Sequence, residues 1–599
     1  MGVPGFFLWL IKNYKKEGFV FQKEKLSLIS KDFLKNESNQ NMLDKINSID
    51  YFLIDANCLI HPVCFKIIAD NPDLKDKDKL ESKMMTAVLE YLDKLISYVD
   101  PKSGIYLAID GVAPVAKIKQ QRSRRFKSVS DKKMFDTIKT KHSKEIGNYW
   151  NNSAITPGTV FMEKLHNKIL DWSKNSGRHI IYSSCFTPAE GEHKLLQFIR
   201  TNQNNNLDFS YVIYGLDADL IFLALSTESD KIYLLREANE INKKESKEVL
   251  NYVSISIMRE SIVSTIKNYI DKIDNSKLFG FLDKINESRI VNDFIFMCYF
   301  LGNDFLPHIP SLDIHKDGIE NLITKYIETM SELILENNKV EYLLNSNKAL
   351  QGKTLKKVNE KYLHKFIKKL GSQEDEILKD NFTKGKRRMI CDGDAYQKEL
   401  FKIENLQFKI SDPIQLGSDS PDRWRLRYYQ HYWGVDEEDL EKFSQQLVNH
   451  YMIGIKWVTQ YYFDKCPSWD WYYPFDQPPF ISDIAKYIET VKINKIKFTE
   501  GKPLKQYMQL LCVLPPQSSY LLPNSFVKLM TNSKSSLAFM YPIEFEQDFI
   551  NKKKYWMAVP KLPPLDIELV KKSYFKYKNE LKDDDIKRNK YLDIFEFKV

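Results

Sequence analysis

The sequence predicts an α/β protein: a mostly parallel sheet with flanking helices, and a second, aromatic-rich and mainly helical region packed around it. Three observations predict this. Over residues 1–317, short apolar runs rich in β-formers alternate with longer segments of helical period, the pattern of a parallel sheet whose faces are covered by helices. Over 318–421 the composition shifts to Lys, Glu, Asn and Leu with few β-branched clusters, which reads as a helical insert or linker, or equally as an ordinary solvated helical face. Over 422–599 Trp and Tyr crowd into a block that closes the core.

Taken in order, the strand-like runs include 51–54, 105–109, 180–182 and 211–214, each short, apolar and followed by polar or turn-forming residues. The aromatic block runs through WRLRYYQHYWG and IKWVTQYYFDKCPSWDWYYPFDQPP to the Pro-rich LLCVLPP and KLPPLD. No internal repeat is present.

Composition narrows the class. Hydrophobic residues make up 43% and charged residues 28%, a globular balance and not a disordered one. No apolar run approaches the ~18 residues of a membrane-spanning helix. The apolar N-terminal stretch has no basic residue before it and no small-residue cleavage site, so a secretory signal is not expected. Phe6 stands where myristoylation prefers Ser or Thr. The net charge of +9 is mildly basic and suits a polyanionic partner. Seven cysteines without a C-x-x-C pair indicate neither a disulfide framework nor a zinc knuckle. A reducing compartment follows. The expectation is cytoplasm, with the nucleus also compatible, since KGKRR at 384–388 is a poor import signal.

Three strand-like runs end on or just before aspartate: YFLID at Asp55, IYLAID at Asp110, and YVIYGLDAD at Asp217 and Asp219. Ligand sites in open parallel sheets form outside the carboxyl ends of the strands, so acids placed there converge in space. Glu190 and Glu192 sit where TPAEGEHKLLQFIR opens into an amphipathic helix, and Asp304 follows FIFMCYFLG. A single Asp after a strand is most often a helix N-cap or turn residue. Seven carboxylates in one cleft are another matter, because like charges raise one another's pKa unless a counter-charge is present. Hard oxygen donors without a His or Cys constellation favour Mg²⁺ or Mn²⁺. Two such ions about 3.5–4 Å apart suit phosphodiester hydrolysis.

Directly after Asp110 comes GVAPVAKIKQQRSRRFK. On a helix, Lys117, Gln121, Arg124 and Arg125 share one face, an array suited to a terminal phosphate. Alone, such a helix reads as a solvated basic face or an import signal; beside Asp110 the phosphate reading is preferred. In the aromatic block, Trp457, Trp469, Trp471, Tyr472 and Tyr473 are candidates for stacking on unpaired bases, although most such rings serve a core. His61, in LIDANCLIHP, is a further stacking candidate.

Together these residues resemble the XRN family of 5′→3′ exoribonucleases. MGVPGFFLWL, LIDANCLIHP, AIDGVAPVAKIKQQRSRRF, PAEGEHKLLQFIR, YGLDADLI and LGNDFLPHIP match its first signature region in order, and KWVTQYYFDKCPSWDWYYPFDQPPFISDI its second. LLPNSFVKLM and YPIEFEQDFINKKKYWMAVPKLPPLD look like the end of its core. The resemblance implies a PIN/FEN-like nuclease core alone, the short form. It implies a metal site of Asp55, Asp110, Glu190, Glu192, Asp217, Asp219 and Asp304, and a 5′-monophosphate pocket of Lys117, Gln121, Arg124 and Arg125. His61 matches a base-stacking histidine whose tryptophan partner is Trp469 or Trp457, and Pro114 a residue that helps exclude duplex. Two departures are Val115, where the family often has Arg, and SWDWYYPFDQPP, which lacks a histidine common there.

The implied activity is processive, Mg²⁺-dependent degradation of single-stranded RNA bearing a 5′-monophosphate to nucleoside monophosphates, in RNA turnover, with Mn²⁺ as a substitute. No membrane and no nucleotide cofactor is involved. Two alternatives stand beside it: a catalytically silent RNA-binding scaffold, and a FEN-type structure-specific endonuclease.

Overall fold

A computed structural model describes residues 5–28, 37–147, 150–215, 217–238, 249–271, 280–348, 354–384 and 390–598. Met1 to Pro4 of the N-terminal motif, Leu216 of YGLDADLI and residues 385–388 of KGKRR lie outside the described residues.

The main sheet has eight strands: β1 (Val20–Phe21), β2 (Tyr51–Asp55), β3 (Gly104–Ala108), β4 (Ile180–Ser183), β5 (Tyr211–Tyr214), β6 (Ile232–Glu237), β7 (Leu250–Ser254) and β12 (Phe595–Phe597), in the order β1-β7-β6-β5-β2-β3-β4-β12. The run β6-β5-β2-β3-β4 is parallel. β7, β1 and β12 add antiparallel pairs at the two edges. Side chains alternate along the parallel strands. Leu53, Tyr106, Tyr211 and Ile213 enter one core, and Phe52, Ile54, Ile105, Leu107 and Val212 enter the other. Both faces are therefore covered, as continuous apolar strands require. The chain winds β2 to β3 to β4 in one direction, then returns to β5 on the other side of β2 and continues to β6. The reversal between β2 and β5 is the switch point at which such sheets open a crevice.

The described residues of 318–421 include the α-helices Gly318–Asn337, Glu360–Gly371, Glu374–Thr383 and Ala395–Glu404. They also carry a hairpin, β8 (Leu344–Lys348) with β9 (Thr354–Val358), which the polar composition did not signal. Buried carboxylates fix this region to its neighbours. Glu374 accepts from the Ser311 and Ser482 hydroxyls and the Ile481 and Ser482 amides. Asp293, on the helix Glu287–Cys298, accepts from the Tyr326 hydroxyl at 2.8 Å and the Leu343 and Leu344 amides at 2.7 Å each. Residues 422–599 are mainly helical, with a short antiparallel pair β10 (Gln547–Asp548) and β11 (Val559–Pro560), before β12 closes the sheet edge beside β4. All seven cysteines are free thiols. Among the described residues no helix is long and apolar enough to cross a membrane.

Burial pushes the Asp293 carboxyl up from 3.8 to about 7, against the pull of its three donors. Its folded-state value thus exceeds its unfolded one, so the ionised form opposes folding. The stability it contributes is full below the unfolded value and is lost as pH rises toward the folded value, on the order of a few kcal/mol. Urea unfolding of wild type and Asp293→Asn at about pH 5 and about pH 7 checks this. Wild type should lose more stability than the variant over that interval, and parallel behaviour would contradict it.

Candidate active site

The crevice at the β2/β5 switch point is lined by acids whose backbones the sheet positions. Asp55 is the last residue of β2, and the Ala56 amide, just beyond it, still donates to the Ala108 carbonyl at 2.8 Å. The chain then enters the helix Asn57–Asp70, and the Asn57 side chain ties two strand ends together. Its Nδ2 donates to Asp110 Oδ2 at 2.9 Å, and its Oδ1 accepts from the Asp110 amide at 3.1 Å. Asp55 also accepts from the Asn57 amide at 3.3 Å and the Cys58 thiol at 3.2 Å.

Beyond β3 and β4 two loops interlock. The Gly111 amide donates to the Ala189 carbonyl and the Ala189 amide to the Val112 carbonyl, both at 2.9 Å. This pairing holds Ala189 at φ 99°, a left-handed value that costs a non-glycine residue energy. Gly111 has no room for a side chain, since a Cβ there would lie 1.8 Å from the Thr187 carbonyl oxygen. Glu190 follows as N-cap of the helix Gly191–Asn204, with Glu192 in the first turn. The Gly191 amide donates to Asp110 Oδ1 at 2.6 Å, and a Cβ on Gly191 would meet Asp55 Oδ1 at 2.7 Å.

Gly191→Ala should therefore displace the Asp55 carboxylate. The expected outcome is divalent-metal affinity weakened about 10–100-fold with the melting temperature nearly unchanged. Calorimetric titration with Mn²⁺ reads it, and wild-type affinity would contradict it.

From the other side of the switch point come Asp217 and Asp219, the latter opening the helix Asp219–Ser226. Phe6 buttresses that helix by stacking on Phe222 at 4.2 Å. Carboxylate oxygens of Glu192, Asp217 and Asp219 lie within 4.8 Å of one another, as do ligand atoms of Glu190, Glu192 and His193. Asp304 arrives after Gly302, which turns at φ 85°.

Electrostatics follow from this crowding. Burial, then Asp110 and Asp217, raise Asp55 well above the carboxylate range; burial, then Asp219, do the same to Glu192. Burial and then Glu190 raise Asp110, and burial lifts Asp219 to about 6. Asp304 is also buried but is held below its ordinary value by Lys117 and Arg124. Asp219 Oδ1 is buried and has no hydrogen-bond partner. An unpartnered buried oxygen within a set of hard oxygen donors fits a divalent cation.

The basic helix, Val115–Lys141, starts at the crevice. Lys117 pairs with Glu190 and, at 2.8 Å, with Asp304, so its ammonium stands among the acids and does not join a separate cationic array. Burial alone would lower it, but Asp304 and Glu190 hold it well above its ordinary value. Gln121, Arg124 and Arg125 continue along the face. Gln121 Oε1 and Arg125 Nη1 are buried without hydrogen-bond partners, and burial lowers the guanidinium of Arg125 to about 10, so it stays charged. His61, half-buried, feels Arg125 and Asp217; burial and then Arg125 push it down to about 4, leaving a neutral ring at pH 7.

Two expectations need correction. Trp457 is fully buried, donates to the Ser468 carbonyl at 3.0 Å and lies between Tyr461 and Trp471, so it has no face open to a base. Trp469 is half-buried, and its carbonyl accepts from the Val115 amide at 2.9 Å, at the head of the basic helix. Pro114 is buried as N-cap of that helix, so it shapes the helix start and offers no free face to an incoming duplex.

Several site residues had no clear sequence signal. Tyr461 donates to Glu190 Oε1 at 2.6 Å. Lys194 donates to the Ile109 and Ser184 carbonyls at 2.6 and 2.8 Å, and burial lowers it to about 7. His193, half-buried and held neutral, packs on Tyr461 with ring centres 3.6 Å apart, which adds a nitrogen to a set read as oxygen alone. Its signal was present in EGEHK, next to Glu192, as that of Asn57 was in LIDAN.

Carboxylates gathered at the carboxyl ends of a mostly parallel sheet, beside the start of a basic helix, define the class of acid-lined α/β nucleases. The family follows from comparison. The chain belongs to the XRN 5′-3′ exonucleases: the family's N-terminal model (XRN 5′-3′ exonuclease N-terminus) matches residues 1–238, and its Xrn1 helical domain matches 284–399 and 391–595. It is 28% identical over 737 residues to 5′-3′ exoribonuclease 2 of Debaryomyces hansenii, covering 98% of this chain and 71% of that one. To 5′-3′ exoribonuclease 1 of Homo sapiens it is 30% identical over 648 residues, 99% of this chain but 35% of the human one. Among solved structures, the catalytic core of Rad2 in complex with DNA substrate is 14% identical over 56% of this chain and 93% of that one, with a TM-score of 0.25.

Proposed function

We propose that this chain is a 5′→3′ exoribonuclease that degrades single-stranded RNA with a 5′-monophosphate to nucleoside monophosphates, processively and with Mg²⁺. The observation that carries the reading is the pair of unpartnered buried groups, Gln121 Oε1 and Arg125 Nη1, on the helix whose first turn is locked into the acid cluster. Rotation of the Gln121 amide exchanges its oxygen and NH₂, so the position also offers a donor. A terminal phosphate satisfies these groups, with Arg124 supplying further charge.

Each residue has a physical task in this reading. Lys117 neutralises Glu190 and Asp304, and Tyr461 orients Glu190. The neutral His61 ring stacks on the first base, with Trp469 as the half-buried tryptophan whose carbonyl is bonded to the helix head. Glu192, Asp217 and Asp219, with Asp55, Asp110, Glu190 and Asp304 around them, would hold Mg²⁺, which polarises the scissile phosphate and activates a water when bound. Hydrolysis breaks the P–O3′ bond, so the shortened strand carries a new 5′-monophosphate that the same pocket can bind. That regeneration is the basis of processivity. Mn²⁺ meets the same donors.

A linear 5′-monophosphate RNA and its circularised form, incubated with Mg²⁺ and with EDTA as control, test the proposal. The linear form should decay to mononucleotides only with metal, and the circle should persist. Cleavage of the circle would favour the endonuclease reading, and binding without decay the scaffold. The unpartnered Asp219 oxygen argues against a scaffold, which has no use for it. Cytoplasmic action in RNA turnover is part of the proposal, with the nucleus equally compatible.

A further inference from the structure

A lysine-rich ridge beside β9 plays no part in the catalytic reading. Asn494 docks the 491–501 segment onto that strand: the Val358 amide donates to Asn494 Oδ1 at 3.1 Å, and Asn494 Nδ2 donates to the Val358 carbonyl at 2.7 Å. This clamp sets exposed Lys492, Lys495 and Lys497 beside exposed Lys357. Lys456, on the helix Leu440–Phe463 beneath, is buried, and burial and then the charge of Lys357 lower its ammonium.

Two of the nearby carboxylates pair with lysines outside the ridge, and Glu360 lies within it and attracts Lys456. Glu489 pairs with Lys368, Glu500 with Lys465, and Glu360 accepts from the Asn494 amide. Among the described residues Lys357, Lys456, Lys495 and Lys497 have no ion-pair partner, and Lys492 donates only to the Glu489 carbonyl. Four exposed lysines around the Glu360 carboxylate leave an excess of positive charge, a local field that favours a polyanion.

The ridge also leads to the site. The Glu500 carbonyl accepts from the Trp469 amide at 2.8 Å, and the Trp469 carbonyl accepts from Val115 at the head of the basic helix. Through Glu500 the lysine-bearing segment is thus tied to Trp469 and to the head of the basic helix.

We propose that Lys357, Lys492, Lys495 and Lys497 form a track for the phosphate backbone of unpaired RNA, holding the part of the substrate still outside the active site. The inference rests on the exonuclease reading above. It predicts sequence-independent, salt-sensitive grip, because the track offers charge and no base-edge readers.

The test is a triple variant, Lys357→Ala, Lys495→Ala and Lys497→Ala, whose side chains are exposed and unpaired. Binding is read by fluorescence anisotropy in EDTA, on a long single-stranded RNA and on one of about six nucleotides, within the span of a single binding site. The variant should bind the long RNA about tenfold more weakly and lower its log-affinity against log-salt slope by about 2, three phosphates at about 0.7 each. Binding and turnover of the short RNA should match wild type. Unchanged long-RNA affinity and slope would overturn the proposal and leave the ridge to an acidic protein surface. Equal losses on both lengths would overturn it too, by placing these lysines inside the site. If wild-type protein degrades neither RNA, the nuclease reading falls, while the length-dependent binding still decides the track.

Discussion

Glu192→Gln should lower kcat on 5′-monophosphate RNA by about a thousandfold, a barrier increase of ~4 kcal/mol, without lowering the melting temperature of the metal-free protein. Among the described residues Glu192 belongs to both groups of ligand atoms that come within 4.8 Å, so it links the Glu190 side of the cluster to Asp217 and Asp219. Gln keeps the shape and one oxygen but removes the charge that would hold a cation. The stability half follows from the same crowding. Burial and Asp219 already raise the Glu192 carboxyl, so its ionised form is unfavourable in the fold, and a neutral amide relieves like-charge repulsion. Single-turnover kinetics and thermal melts in EDTA check both halves. Near-wild-type kcat, or a large drop in melting temperature, would mean that Glu192 is structural.

Arg125→Ala should collapse selectivity for the 5′ end. A hydrogen bond to a charged group contributes about 1.5–3 kcal/mol, so kcat/KM on 5′-monophosphate RNA should fall about 10–100-fold, while that on 5′-hydroxyl RNA stays the same. The buried Nη1 has no hydrogen-bond partner in the fold, so its removal breaks no structural bond. Arg125→Lys should recover part of the loss, because it restores charge but not the planar fork. An equal fall on both substrates would show that Arg125 acts on the chemistry or on folding, and not on the terminal phosphate.

Four strands of the central sheet, β2 to β5, and the acids just beyond them were legible because both obey simple rules; β6 and β7 were not read. Parallel strands buried on both faces read as short apolar runs, and acids just past them must converge at the switch point. The edges were not legible. β1 and β12 are two and three residues long, too short to carry a period, and the β8–β9 hairpin is built from LNSNK and TLKKV, which read as polar coil or helix.

Within the site, helical spacing put Lys117 on one face with Gln121, Arg124 and Arg125, but spacing along a helix cannot say what faces it across a cleft. Lys117 sits in the first turn, where Glu190 and Asp304 reach it. Trp457 and Trp469 look alike in sequence, since both belong to one aromatic block. Only tertiary packing buries the first and leaves the second at the head of the basic helix. Tyr461 was invisible for the same reason: nothing within QYYFDK distinguishes the ring that reaches Glu190 from its neighbour.

The most direct test of the account is paired decay, with Mg²⁺, of one RNA carrying either a 5′-monophosphate or a 5′-hydroxyl, with an Asp217→Ala, Asp219→Ala double variant as control. The account predicts that only the monophosphate form is converted to mononucleotides and that the variant degrades neither. Decay of both forms at equal rates, or activity surviving in the variant, would contradict it.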